Sequence, residues 1–344
     1  MERYLDIYIP EEASSAPVSH FLRTQAGLTK KQISQAKFRP GGVRKNGQQC
    51  RVTETACPGD QITVCLETDS VDSSQLLSPA FYPGLVSSKS DSSNSGSEPS
   101  FSYKLDILYE DQDLLIVNKP AGMVTHPSGG HYCDSLSNQV AAYFRSKGEP
   151  TKVRSMGRLD RETSGILTFA KNQTAAARLQ KQRETGLLQK TYLAVVSGSL
   201  LPDTDGSFHT ISIPLAPDPD DRLKMVISLD STLPGSKYAE TCYSVLNTVN
   251  YASQASASLV MLRLKTGRTH QIRVHMASLG HPLLGDSLYH LSDTTDYFSR
   301  AALHAWKLTL QQPFTQKEIS LEAPLPEDFH KFYETTTRHL SSTT

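Results

Sequence analysis

Apolar and polar positions along the 344-residue chain form short runs closed by turn signals, and they fall into two blocks. In the first block, residues 18–26 and 29–37 read as two short helices. Gly27 is placed to stop the first, and Thr29 to cap the second, with Gln32 three positions on as its capping-box partner. The Asn46-Gly47 pair then marks a tight hairpin turn, and Pro58-Gly59-Asp60 a second turn before an apolar strand at 61–65. In the second block, 106–111 and 113–119 read as a β-hairpin about Asp111-Gln112, closed where Pro120 cannot continue the ladder. Buried strands are predicted at 166–170, 190–196 and 259–264, and a helix over 172–184 with Gly186 past its end. Ile272, Met276 and Leu279 lie at helical spacing within 270–279, and Gly280 fits the end of that helix. Helices follow strands irregularly, which predicts an α+β fold: a mixed, mainly antiparallel sheet flanked by helices, with a small α/β unit in front of it.

Composition supplies the boundary between the blocks. Eight of the fourteen residues at 87–100 are serine, and such a stretch cannot bury enough apolar surface to offset the entropy of ordering it. The expected organisation is a small unit at 1–85 with its core at about 16–67, a linker at 86–102, a large unit at 103–330 and a tail at 331–344. A hydrophobic content of 38% excludes a wholly disordered chain. No apolar run reaches the roughly 18 residues a membrane helix needs, and residues 1–10 lack a signal pattern, so a cytoplasmic location away from membranes is expected. The five cysteines contain no Cys-x-x-Cys pair, which argues against a disulfide framework or zinc cluster. The histidines lack the His-x-x-x-His spacing of a helical zinc site, and no metal is expected.

Lys+Arg and Asp+Glu are both 35, yet the charge is segregated. Residues 22–51 hold eight basic residues and no acid; 151–192 hold nine against three; 263–275 hold four and no acid. Segregation of this kind is the footprint of a polyanion, because lysine and arginine displace counterions from phosphates. The sharpest local string is Gly157-Arg158-Leu159-Asp160-Arg161-Glu162-Thr163-Ser164-Gly165, running into the strand at 166. It sets a carboxylate at the rim of a sheet, between two arginines that favour its ionised, nucleophilic form. Taken alone, Arg-x-Asp is most often a surface ion pair.

The whole string resembles the catalytic loop of the RluA-type pseudouridine synthases, His-Arg-Leu-Asp followed by a Thr-Ser/Thr-Gly turn. Three more strings follow that family's order: VNKPAGMVTHP (117–127), KTYLAVVSG (190–198) and LKTGRTHQIRVHMASLGHPLLGD (264–286). The resemblance covers about 105–325. Two basic helices and a β-ribbon at 16–67 resemble the RNA-binding domain named after ribosomal small-subunit protein four, an RluD-like layout. The resemblance implies an enzyme that breaks the N-glycosidic bond of a uridine in structured RNA, turns the base and rejoins it through carbon 5, without a cofactor. Asp160 matches the catalytic aspartate, Tyr192 the tyrosine that stacks under the flipped base and helps remove the proton at carbon 5. Arg273 matches the basic residue that pairs with the aspartate, with Arg268 the less favoured holder of that role and better placed for a phosphate. Arg158 matches the arginine that fills the stack when the nucleotide is flipped out. Lys30, Lys31, Lys37, Arg44 and Lys45 match the basic face of the small domain. The partner implied is RNA, ribosomal rather than transfer RNA, with the chain acting as a monomer. One departure stands out: the family's histidine is Gly157 here. A second reading, an RNA-binding or ribosome-assembly protein that keeps the fold without catalysis, must explain why these four site residues are intact.

Overall fold

The computed structural model describes residues 3–39, 41–66, 105–128, 130–149, 152–229, 233–252, 255–290 and 297–341. The expected serine-rich linker, 86–102, lies outside them. In the N-terminal unit, β1 (Arg3–Tyr8), β3 (Val43–Lys45), β4 (Gln48–Gln49) and β6 (Gln61–Leu66) form an antiparallel sheet in the order β1-β6-β3-β4. Strand β2 (Ala16–Pro17) pairs with β5 (Thr55–Ala56), and helices α1 (Val18–Thr24) and α2 (Lys30–Lys37) pack with the sheet around Phe21, Leu22, Ile33, Ile62 and Val64. The capping box of α2 forms as the sequence predicts: Gln32 N–H donates to Thr29 Oγ1 at 3.2 Å, and Thr29 N–H to Gln32 Oε1 at 2.8 Å. Asn46 and Gly47 take φ of 51° and 81°, the left-handed pair that a two-residue hairpin between β3 and β4 requires. The core of this unit begins earlier than expected, because Ile7 and Ile9 of the β1 segment are buried in it.

The large unit holds a ten-stranded sheet. Its strands are β7 (Ile107–Glu110), β8 (Leu114–Lys119), β9 (Arg154–Ser155), β10 (Ser164–Ala170), β11 (Gln189–Ser197), β12 (His209–Ser212), β15 (Glu240–Ala252), β16 (Ala255–Leu264), β17 (Leu303–Gln311) and β18 (Glu318–Glu322). The main path runs β12-β15-β16-β11-β17-β10-β8-β7, with β18 on β17 and β9 on β10. Among the described strands only β10 and β17 run parallel; the remaining pairs are antiparallel, so the mixed, mainly antiparallel sheet is as the sequence predicts. A side ladder joins β13 (Leu215–Pro217) to β14 (Met225–Ile227).

Strict alternation lets helices cover both faces of the centre of the sheet. Leu115, Val117, Leu167 and Phe169 point to one face, where α3 (Leu136–Ser146) brings Leu136, Val140 and Phe144. Leu114, Ile116, Ile166 and Ala170 point to the other, where α4 (Gln173–Glu184) brings Ala175 and Leu179. On β11 the first face carries Tyr192, Ala194 and Val196 against Ile272 and Met276 of α5 (Gln271–Ser278). The second carries Leu193 and Val195 against Phe329 and Phe332 of α6 (Glu327–Ser341). The tail expected from residue 331 is therefore helical, and its first turns close the core.

The two units also touch. Gln32 Nε2 donates to Thr174 Oγ1 at 3.0 Å, and Phe314 packs against the small unit's core while its ring lies 4.6 Å from the Arg178 guanidinium. A boundary with few contacts is the expectation from the linker composition; the contacts that are described meet at the start of α4 and at Phe314.

Candidate active site

Asp160 stands at the head of β10, in a loop held from below by the 117–127 segment. Thr125 Oγ1 donates to the carbonyl of Leu159 at 2.8 Å and accepts its N–H at 3.1 Å, so one hydroxyl fixes both backbone groups of the residue before the carboxylate. The Lys119 ammonium, buried, donates to the carbonyls of Pro120, Met123 and Arg161 at 2.8, 2.8 and 3.3 Å. Burial pushes this lysine down to about 7, with Asp160 opposing the drop and Arg300 adding to it. All three ammonium donors are met, which favours the charged form. Thr163 N–H closes the turn on the Asp160 carbonyl at 3.1 Å.

The Thr-Ser-Gly end of the loop has an equally local reason. A Cβ on Gly165 would meet the Ala305 carbonyl oxygen at 2.2 Å, and its φ is 108°. Only glycine lets β10 run beside β17 here, where Ser164 faces His304 and Gly165 faces Ala305.

The carboxylate faces a cleft of about 190 Å³ whose walls include Arg158, Arg183, Lys190, Tyr192, Arg268 and Arg273. Asp160 is half-buried, and its side chain makes no hydrogen bond or ion pair among the described residues. Tyr192 is buried, and a β-bulge between Thr191 and Tyr192 on the β11–β17 edge re-aims it at this point of the sheet. Burial, then the charge of Asp160, raises the tyrosine's pKa, with Arg183 pulling the other way, so it stays a neutral phenol. Burial also brings Lys190 down to about 8, Arg183 adding to the effect. Gly157 has φ of 91°, a conformation that strains any L side chain and accounts for glycine at this place.

Arg273 is buried on α5, but the expected direct pairing with Asp160 is not found. Its Nε and Nη2 donate to the two carboxylate oxygens of Asp286 at 2.7 and 2.6 Å, and its guanidinium lies 5.3 Å from the Tyr289 ring. Asp286 is itself fully buried, and so closer to the guanidinium's needs than a half-exposed Asp160. Burial would lower the arginine's pKa, yet the bonds and charge of Asp286 hold it above its ordinary value. The link to the Asp160 loop runs through Glu162, whose Oε2 lies 3.4 Å from Arg273 Nη2 and accepts Ala301 N–H at 3.3 Å. Arg161, expected beside Asp160, donates from Nε to the Gly122 carbonyl at 3.1 Å instead.

The other expected residues divide cleanly. Arg158 and Arg268 are exposed at the cleft, Arg268 with Nε on the Tyr238 carbonyl at 2.9 Å. Lys30, Lys31 and Lys37 are exposed on or beside α2 and do not line the cleft; Arg44 and Lys45 lie on β3, Lys45 Nζ donating to the Thr55 carbonyl at 2.9 Å. Sequence reasoning missed Arg183, Lys119, Thr125, Glu162, Asp286 and His270. His270 precedes α5 in a left-handed conformation (φ 53°) and shares a 3.0 Å hydrogen bond with the Tyr289 hydroxyl. Lys119, Thr125, Glu162, His270 and Asp286 all lie within the four quoted strings, though no role was read from them; Arg183 lies in none. No cluster of metal-binding side chains occurs among the described residues.

Residues 113–278 match the family described as RNA pseudouridylate synthase. An uncharacterised RNA pseudouridine synthase of Bacillus subtilis, YlyB, is 36% identical over 96% of this chain and 97% of its own length. The ribosomal large subunit pseudouridine synthase D of Zymomonas mobilis is 36% identical over 67% of this chain and 72% of its own. Among solved structures, human RNA pseudouridylate synthase domain containing 1 aligns with a TM-score of 0.52 and 30% identity, over 67% of this chain and 87% of that one.

Proposed function

Because the chain belongs to the RluA-type RNA pseudouridine synthase family, we propose that it isomerises specific uridines of large-subunit ribosomal RNA, flipping each target base into the cleft beside Asp160. The observation that carries this reading is the ionisable lining of the cleft: one unpartnered carboxylate among four arginines and a lysine. The arginines suit a phosphate backbone, and the carboxylate, with no hydrogen-bond or ion-pair partner among the described residues, is available to the uridine. The C1′–N1 bond breaks, the uracil turns, and a C1′–C5 bond forms; the proton lost from C5 is made up at N1, so atoms balance without a co-substrate. Asp160 is the group we assign to act on the uridine. Tyr192 offers its ring face to the base, and as a neutral phenol it serves as a platform and not as a base at neutral pH. Arg158 fills the stack that the base leaves. Arg273, bound to Asp286, positions Asp160 through Glu162. The exposed lysines of α2 and the basic β3 hairpin extend the contact to structured RNA, with the chain working as a monomer.

Pseudouridine maps of total RNA from cells with and without the protein test the substrate directly. A ribosomal site that disappears names it; a loss confined to transfer RNA would overturn the ribosomal assignment. Asp160→Asn should abolish conversion and leave RNA affinity within about a few-fold, because the replacement is nearly isosteric and removes only the nucleophile. Turnover by that variant would remove Asp160 from its role, and the non-catalytic reading would gain if the native protein modified nothing.

A further inference from the structure

We propose that Arg183 grips an RNA phosphate at the mouth of the cleft and so positions the strand from which the target nucleotide is drawn. This deepens the reading above and rests on it. Arg183 comes from the last turn of α4 and reaches the seam between two loops, that of Gly157 and that of Gly267. A Cβ on Gly157 would lie 3.7 Å from its Nη1, and a Cβ on Gly267 only 2.5 Å from its Nη2. Gly267 is not in a left-handed conformation, so the backbone does not demand glycine there. An alanine at 267 would press on the end of this exposed side chain, which would have to shift from where it now lies beside the loop.

Seated in this way, the guanidinium makes no hydrogen bond or ion pair among the described residues. An exposed arginine on the wall of the cleft, with five N–H donors in a planar fork and no bond to the described residues, matches the geometry of a phosphate. Arg158 and Arg268 are the chain neighbours of the two glycines, so three guanidinium groups line the rim where the backbone must pass. Arg183 also acts electrostatically on Lys190 and Tyr192, which sets it within reach of the wall that receives the base.

The test follows pseudouridine formation in total RNA from cells lacking the gene, over a range of RNA and salt concentrations. Arg183→Met should raise KM about 5- to 10-fold with kcat changed less than about 2-fold, and should flatten the salt dependence by about 0.7–0.9 in log–log slope, one phosphate contact. Arg183→Lys should recover the salt slope and only part of the affinity, since it keeps the charge and loses the fork. Gly267→Ala leaves the charge in place but displaces the guanidinium from beside the loop, so any rise in KM in the native background should be absent in the Arg183→Met background. Unchanged KM and salt slope in Arg183→Met, with a native protein that converts its uridine, would overturn this inference alone. An equal effect of Gly267→Ala in both backgrounds would overturn the seat. A native protein that forms no pseudouridine would overturn the functional reading and this inference with it.

Discussion

Arg273 and Asp286 are both withdrawn from water, so neither can be removed without stranding the charge of the other. Arg273→Met should cost about 3–5 kcal/mol of stability in addition to slowing catalysis. Adding Asp286→Asn should recover part of that loss, as denaturant melts of the single and double variants would reveal. A single variant as stable as the native protein would mean that the pair is not what holds α5 to the 286–289 turn. Lys190 allows a prediction in pH. Burial sets it at about 8, so the group is cationic at neutral pH and loses its charge as pH rises through 8. KM for RNA should therefore climb between pH 7 and 9 in the native protein and stay flatter in Lys190→Arg; identical profiles would remove Lys190 from RNA binding. Stability runs in the opposite sense. The folded value lies below the ordinary 10.5, so between about 8 and 10.5 the unfolded chain holds the extra proton, and Lys190's contribution to stability rises with pH. At this scale the sequence named Asp160, Tyr192, Arg158 and Arg268 at the cleft, because each sits in a short motif. The resemblance paired Arg273 with Asp160, whereas in the structure its guanidinium binds the buried Asp286, which no local pattern singles out as its partner.

Helices and strands were legible where their end signals are local. The capping box at Thr29, the Asn46-Gly47 turn and the glycines at 186 and 280 all do in the structure what they predict. Strand β15 was missed because its register shifts twice, between Val245 and Asn247 and between Asn250 and Ala252, and each bulge breaks the alternation by which a strand is recognised. Helix α6 carries start signals, Pro326 followed by Glu327 and Asp328, but its place near the chain end invites reading it as a tail. Phe329 and Phe332 on it are buried against β11 and Phe298. Phe332→Ala should therefore lower stability by about 3–5 kcal/mol, the usual cost of emptying an aromatic core site. A change under about 1 kcal/mol in thermal or urea unfolding would return residues beyond 330 to the status of a tail.

For the whole molecule, the question is how the small unit and the cleft work together. Deleting residues 1–85 removes the Gln32–Thr174 bond and uncovers Phe314, but it leaves the main clusters of the large sheet intact. The truncated chain should fold, melt a few degrees lower, and bind RNA with a flatter salt dependence if Lys30, Lys31 and Arg44 contact phosphates as proposed. An unchanged salt slope would mean that the small unit does not touch the RNA. The amino-acid sequence by itself determined the fold class, the two units and the loop that carries Asp160, because turns, caps, alternation and short motifs act between residues close along the chain. Only the tertiary structure decided which carboxylate Arg273 binds, that Lys119 and Thr125 support the loop from 42 and 34 residues upstream of Arg161 and Leu159, and that Arg183 stands at the mouth of the cleft. Those outcomes depend on which distant segments are buried side by side, and burial of charge is a property of the packed sheet that no local pattern of residues records.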